Sequence, residues 1–203
     1  MTSYDLLLHR RLMLILGAIG SHIDTDKPGK PEIKTDDSGN IISYENTEEV
    51  SVATAGTSID TEFVPFDGTD WTMHIYANFP SSSQTESFPT LLSCMSTSSP
   101  WPGITIRYET YSSTSTLYII CNDDSGNKYY YTISTDSSGN VDITMTYTNN
   151  TITIVNNSTT VASSVSLSVS LADLSLTLLA DVGDSGPQRY GIGTIYEFSI
   201  KKT

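Results

Sequence analysis

Residues 71–79 read WTMHIYANF. Trp71, Met73, Ile75, Ala77 and Phe79 take alternate places, and Thr72, His74, Tyr76 and Asn78 fall between them. Successive side chains of an extended chain point to opposite faces, so this stretch reads as a strand with one face buried and one wet. The same period runs outward from it. Ile104, Ile106 and Tyr108 alternate with Thr105, Arg107 and Glu109, and Leu117, Ile119 and Cys121 continue the pattern. Val141, Ile143, Met145 and Tyr147 follow, then Val165, Leu167, Val169 and Leu171 with serines between them. Between the runs lie Asp124-Ser125-Gly126-Asn127, Ser137-Ser138-Gly139-Asn140 and Asn149-Asn150. Each supplies the Gly or Asn that tight hairpins need for positive φ. We read the tetrads as reused turn chemistry, because the strands flanking them share no fixed period. Helix signals are absent here apart from a turn near Leu171–Leu174. About a dozen short strands at close spacing predict an all-β, two-sheet antiparallel sandwich over residues 57–203.

Composition agrees with one such domain plus an extension. The chain has 203 residues, of which 37% are hydrophobic and 16% charged, and its net charge is −13. The charge is uneven: residues 35–203 hold five basic residues against 19 acidic ones. A body that acidic repels nucleic-acid phosphates and anionic lipid. Cys94 and Cys121 both sit in apolar strand-like runs, and either two buried thiols or a single inter-strand bridge fits them.

Residues 1–20 are expected to form a helical segment. Leu8, Leu12, Ile15, Leu16 and Ile19 fall on one helical face, while the apolar run is too short to span a membrane. A cleavable signal peptide competes with a retained docking or oligomerisation anchor, and the anchor is the expectation adopted. Residues 21–56 read as a Pro-, Asp-, Lys- and Gly-rich linker, with one short strand pair flanking Asp37-Ser38-Gly39-Asn40.

The order of segments resembles the laminin-G-like jelly roll of the concanavalin-A-like superfamily. The resemblance rests on Thr57–Thr61, Asp70–Met73, Pro102–Ile106, Asp142–Tyr147, the hairpin opening at Thr151–Val155 and the closing Gly193-Thr-Ile-Tyr-Glu-Phe-Ser-Ile200. A leader with an HRRLM core, a linker and an Ile-Asp-Thr strand is also similar to virion proteins of phages that infect gut Bacteroides-type bacteria. That likeness implies a head-fibre, tail-fibre or decoration protein on the virion surface. Such a protein docks on other virion proteins through its N-terminus, forms homo-oligomers and displays the jelly roll for protein or host-glycan contact. The alternative is a secreted or surface-displayed bacterial carbohydrate-binding module.

Catalytic chemistry is not expected. Glycanases of that superfamily carry an E-x-D-x-x-E strand motif that sets two carboxylates on one face, and no such spacing occurs here. His9, His22 and His74 stand apart with no metal spacing, and there is no G-x-S-x-G elbow or phosphate loop. No cofactor is expected beyond a calcium ion, which the resemblance implies at the sandwich rim. Its candidate ligands are Asp123, Asp124, Asp181 and Asp184; solvated turn aspartates are the competing reading. For glycan contact the candidates are Trp101, Tyr111, Tyr129 and Tyr131. Aromatics at strand spacing are as readily core residues, whereas Trp101, between Pro100 and Pro102, lies in a loop.

Overall fold

The alternating runs become strands of two stacked antiparallel sheets. A computed structural model describes residues 21–111, 114–183 and 186–203. The predicted N-terminal helix, with Leu8, Leu12, Ile15, Leu16 and Ile19, lies outside the described residues. The strands in chain order are β1 (Ser21–Ile23), β2 (Glu32–Thr35), β3 (Ile41–Glu45), β4 (Val50–Val52), β5 (Ile59–Asp60) and β6 (Trp71–Asn78). Then come β7 (Thr90–Met95), β8 (Gly103–Tyr111), β9 (Thr114–Asn122), β10 (Lys128–Thr132), β11 (Asn140–Thr148) and β12 (Thr151–Asn156). The last are β13 (Thr159–Ser166), β14 (Thr177–Leu178), β15 (Asp181–Gly183), β16 (Gly186–Gln188) and β17 (Gly193–Lys202). One sheet runs β1-β2-β3-β17-β6-β11-β12-β13, with β4 also on β17. The second runs β10-β9-β8-β7-β14-β5, and β15 and β16 form a separate hairpin.

Register carries the buried rows across each sheet. Met73 faces Met145 and Ile75 faces Ile143 between β6 and β11, so residues with the same burial lie opposite one another. The core between the sheets is aromatic at one end. Trp71 stacks on Tyr147 at 5.6 Å, and Phe66 meets both edge-on at 5.9 and 5.3 Å. Such ring pairs add roughly 0.5–1.5 kcal/mol each beyond area burial.

Three features depart from simple alternation. Residues 21–56, expected as a linker, supply four strands of the larger sheet, and Ile33, Tyr44, Val50 and Val52 are buried in the core. The pair expected around Asp37–Asn40 is β2 and β3. In β17 a bulge between Ile195 and Glu197 inserts Tyr196, so burial passes from an odd position, Ile195, to the even positions Phe198 and Ile200. The run Val165–Leu171 keeps alternate burial at Leu167 and Val169, but pairing ends at Ser166.

The three tetrads share one hydrogen-bond pattern, whose acceptor sits one residue earlier than the quoted turn. Asp36, Asp123 and Asp136 each accept, on Oδ1, the backbone N–H groups two and four residues on. On Oδ2 each accepts the Asn side-chain amide that ends the turn. Gly39, Gly126 and Gly139 hold φ between 83° and 86° there, a region costly for residues with a Cβ. The Asn40 side-chain amide, then its N–H, keeps the Asp36 carboxyl below the usual range; the Asn127 side-chain amide leads in lowering Asp123, and the Asn140 N–H, then its amide, lowers Asp136.

Register also decides between the two readings of the cysteines. Cys94 faces Ile104, and Ile104 faces Cys121, so the thiols stand two strands apart. That spacing is about 9–10 Å, beyond the roughly 7 Å that a disulfide spans. Both are free and buried, and burial pushes the Cys121 thiol up to about 12 and Cys94 higher still. A native sample should therefore leave both thiols unreacted with an aromatic disulfide reagent over an hour, and release two equivalents once urea unfolds it. Rapid native labelling of either would contradict this packing.

A polar groove on the outer face of the smaller sheet

On β8 and β9 the inward row is Ile104, Ile106, Tyr108, Leu117, Ile119 and Cys121. Alternation therefore sends Thr105, Arg107, Glu109, Tyr118, Ile120 and Asn122 to the opposite face. The β15–β16 hairpin lies against part of that face beside β7. Ser93 Oγ donates to Asp181 Oδ1 at 2.7 Å, and the Thr90 N–H donates to the Arg189 carbonyl at 3.0 Å. Ser93, Thr105 and Asp181 are consequently buried although they lie outside the core.

Between this hairpin and the β10 edge runs a groove of about 540 Å³. Its floor is Arg107, Ile120 and Asn122; one wall is Asp181, Gln188 and Arg189; the other is Trp101, Lys128 and Tyr130. That volume suits a small ligand of sugar size.

Trp101 is placed by its backbone. Its N–H donates to Ser98 O at 2.7 Å, and its carbonyl accepts Asn122 Nδ2 at 3.0 Å. Its φ is 58°, a left-handed conformation uncommon for a bulky residue and found most often where function needs a particular direction. The ring is 45% exposed, with Lys128 Nζ 5.0 Å from its centroid. Tyr130 is also exposed and meets Tyr118 edge-on at 5.9 Å. Asn122 Oδ1 is buried without a hydrogen-bond partner among the described residues.

Arginine–carboxylate pairs fill the other end. Arg107 Nε and Nη2 donate to Glu109 Oε1 at 3.2 and 2.7 Å, and its Nη1 lies 3.8 Å from Asp181 Oδ2. Arg189 Nη1 donates to the same Asp181 oxygen at 2.8 Å.

The candidate residues divide unevenly over this geometry. Trp101 lines the groove as a loop aromatic should. Tyr129 and Tyr131 are half-buried and pack against the core, as does the buried Tyr108, and the middle tyrosine, Tyr130, takes the groove position. Tyr111 ends β8, and its side chain lies outside the described residues. Of the calcium candidates, Asp123 is engaged by its own turn, Asp124 is exposed, Asp181 belongs to the arginine wall and Asp184 lies outside the described residues. Among the described residues no group of three or more His, Cys, Asp or Glu could hold a metal ion. Sequence reading missed Arg107, Lys128, Tyr130 and Arg189. The available signal was scarcity: of five basic residues after position 35, three line this groove.

No family model matches the sequence, and no curated protein matches it. Solved structures do. The fold is similar to the CBM40 domain of the Ruminococcus gnavus IT-sialidase, at 12% identity and TM-score 0.55, covering 77% of this chain and 90% of that one. The same domain bound to α2,3-sialyllactose matches at 13% identity with the same TM-score. The NanB sialidase of Streptococcus pneumoniae matches at 13% identity and TM-score 0.53, over 76% of this chain but only 26% of the sialidase. The binding domain of botulinum neurotoxin serotype D matches at 8% identity and TM-score 0.52, over 92% of this chain and 44% of that one. These likenesses establish an all-β sandwich of the jelly-roll, concanavalin-like kind.

Proposed function

We propose that this chain is a non-catalytic glycan-binding module and that the groove walled by Trp101 and Arg189 receives the sugar. The observation that carries the reading is the exposed Trp101 ring, aimed by two backbone hydrogen bonds over a polar groove. A sugar offers a C–H face and a rim of hydroxyls, so an aromatic wall beside amide, carboxylate and guanidinium groups complements it. Glycoside hydrolysis needs one protonated and one ionised carboxyl flanking the bond. The groove carboxylate Asp181 and the neighbouring Glu109 are instead each engaged by an arginine, so no free carboxyl pair faces the groove among the described residues.

The similar folds support this reading, since one is a sialidase module seen with a bound oligosaccharide and another is a toxin's binding domain. It suits an extracellular or surface-displayed protein. The virion role suggested by the N-terminal likeness draws no support from the groove or from these neighbours. No helix among the described residues is long and apolar enough to cross a membrane.

Applied to a glycan array, the full chain should retain a related set of oligosaccharides, and the best of them should quench or shift Trp101 fluorescence. An array on which nothing binds at high micromolar protein would remove the reading.

A further inference from the structure

We infer that the outer face of the larger sheet is a docking surface for an arginine-bearing segment of another protein, centred on Tyr76 and Tyr196. The inference stands apart from glycan binding, because the groove lies on the other sheet. Trp71, Met73, Ile75 and Ala77 point inward along β6, so His74 and Tyr76 point out. Tyr196 is 38% exposed, and its ring meets that of Tyr76 at 5.2 Å with a tilt of 35°. Much of the surrounding face is short: Thr72, Thr144, Thr146 and Ser199 alternate with the buried rows of β6, β11 and β17. The two rings therefore stand above the sheet.

The β17 bulge is what brings Tyr196 there. Between the pairs Ile195–Ala77 and Glu197–Tyr76 it sets two residues against one, so both Tyr196 and Glu197 stand beside the Tyr76 ring. One side chain holds the bulge. Asn46 Nδ2 donates to the Tyr196 carbonyl at 3.3 Å and to the Glu48 carbonyl at 2.7 Å, while its Oδ1 accepts the Phe198 N–H. The Asn46 N–H donates back to the Phe198 carbonyl at 3.0 Å. Tyr196 adds nothing to the hydrophobic core, so the device serves the surface. Bulges that re-aim a side chain are concentrated at functional sites.

Charge selects the occupant. Register sets Glu197 and Asp142 on either side of Tyr76, each about 5 Å away across the sheet. His74 Nε2 lies 3.0 Å from Asp142 Oδ1 and its Nδ1 lies 4.0 Å from Glu197 Oε2, so one imidazole, with at most one positive charge, spaces two carboxylates. Both carboxylates stay more than half exposed. Glu45 is outward and opposite Ser199, one row on. Among the described residues none of these three pairs with a lysine or arginine. Lys30 and Lys34 are held by Glu48 and Glu32, and Lys201 lies opposite Thr72, four residues along β6 from Tyr76. Aromatic rings rimmed by carboxylates suit a cation, and arginine above lysine, because a guanidinium both stacks on a ring and forks to a carboxylate. The face is a sheet surface rather than a cleft, so a lone small cation buries little there and a segment crossing several strands fits better. A second copy of the chain carries the same net charge of −13 and is repelled.

The test is fluorescence polarisation of the full chain with labelled arginine, lysine and glutamate nonamers at about 150 mM salt. The arginine peptide should bind about three-fold or more tightly than the lysine peptide, and the glutamate peptide should not bind. Tyr196→Ala and Glu197→Gln should each weaken arginine binding about three-fold or more while the melting temperature stays near wild type. Glu86→Gln makes the same charge change in the exposed loop between β6 and β7, away from this face, and should move binding by less than about 1.5-fold. Equal losses from Glu197→Gln and Glu86→Gln would mean attraction by bulk charge alone and overturn the inference, as would arginine binding that Tyr196→Ala leaves intact. Absence of arginine binding overturns it too, and so does a dimer that Tyr196→Ala dissolves, which assigns the face to a second copy. Binding or silence on the glycan array leaves the inference untouched, so the two readings fail separately.

Discussion

Replacing Trp71 with alanine should destabilise the protein by about 3–5 kcal/mol, the largest loss expected from any single side chain named here. Trp71 opens β6, is 2% exposed and lies between Phe66 and Tyr147 where the two sheets meet. Removing it leaves a cavity among rings that cannot close around it, and both edge-on and stacked contacts are lost. Domains of this size are stable by only about 5–15 kcal/mol, so the melting temperature should drop by about 10 °C or more. Trp71→Phe should cost far less. Trp71 Nε1 has no hydrogen-bond partner among the described residues, so the smaller ring loses volume but also relieves a buried donor. Urea titration reads both variants. A loss under about 1 kcal/mol for the alanine variant would mean that the sheets do not close over this residue.

The chain's other tryptophan should behave in the opposite way. Trp101→Ala is expected to weaken glycan binding by about ten-fold or more while moving the melting temperature by no more than about 2 °C. The residue is 45% exposed and the Lys128 ammonium lies over its ring, so little packing is lost. The bonds that aim it, from its N–H to Ser98 and from Asn122 to its carbonyl, belong to the backbone of residue 101 and persist with alanine. The left-handed φ strains alanine no more than tryptophan. Trp101→Phe should fall between the two. Tyr196→Ala, on the outer face of the larger sheet, should leave binding unchanged and serves as the control. Titration of each variant with the best array glycan, alongside a thermal scan, separates the effects. Undiminished binding by Trp101→Ala would place the sugar elsewhere.

The two tryptophans also show where sequence reading reaches and where it stops. Trp71 announces its burial through four apolar partners at spacing two, and all of them are buried. Trp101 announces itself only as an aromatic among prolines, with nothing to say what lies opposite. In the Tyr129–Tyr131 run, alternation reveals that the members face two ways without saying which way is inward. The pairing of Tyr130 with Ile120, and of Ile120 with Thr105, turns the middle ring to the groove. The N-terminal strands look like linker in sequence because each is three to five residues long and set among turn residues. They are strands because β17 and β3 offer them a partner, a fact no local pattern contains.

Sequence by itself determined the class of fold, the identity of most core residues and the turns. Those follow from side-chain parity and φ preference, which act over a few neighbouring residues. Only the tertiary structure decided the site. Asp181 reaches Ser93 across 88 positions, Asn122 reaches Trp101 across 21, and Arg189 meets Arg107 only because the hairpin folds against β7. A groove is made of surfaces that meet through register and sheet order, and those are set by the packing of the whole core rather than by any stretch that lines it.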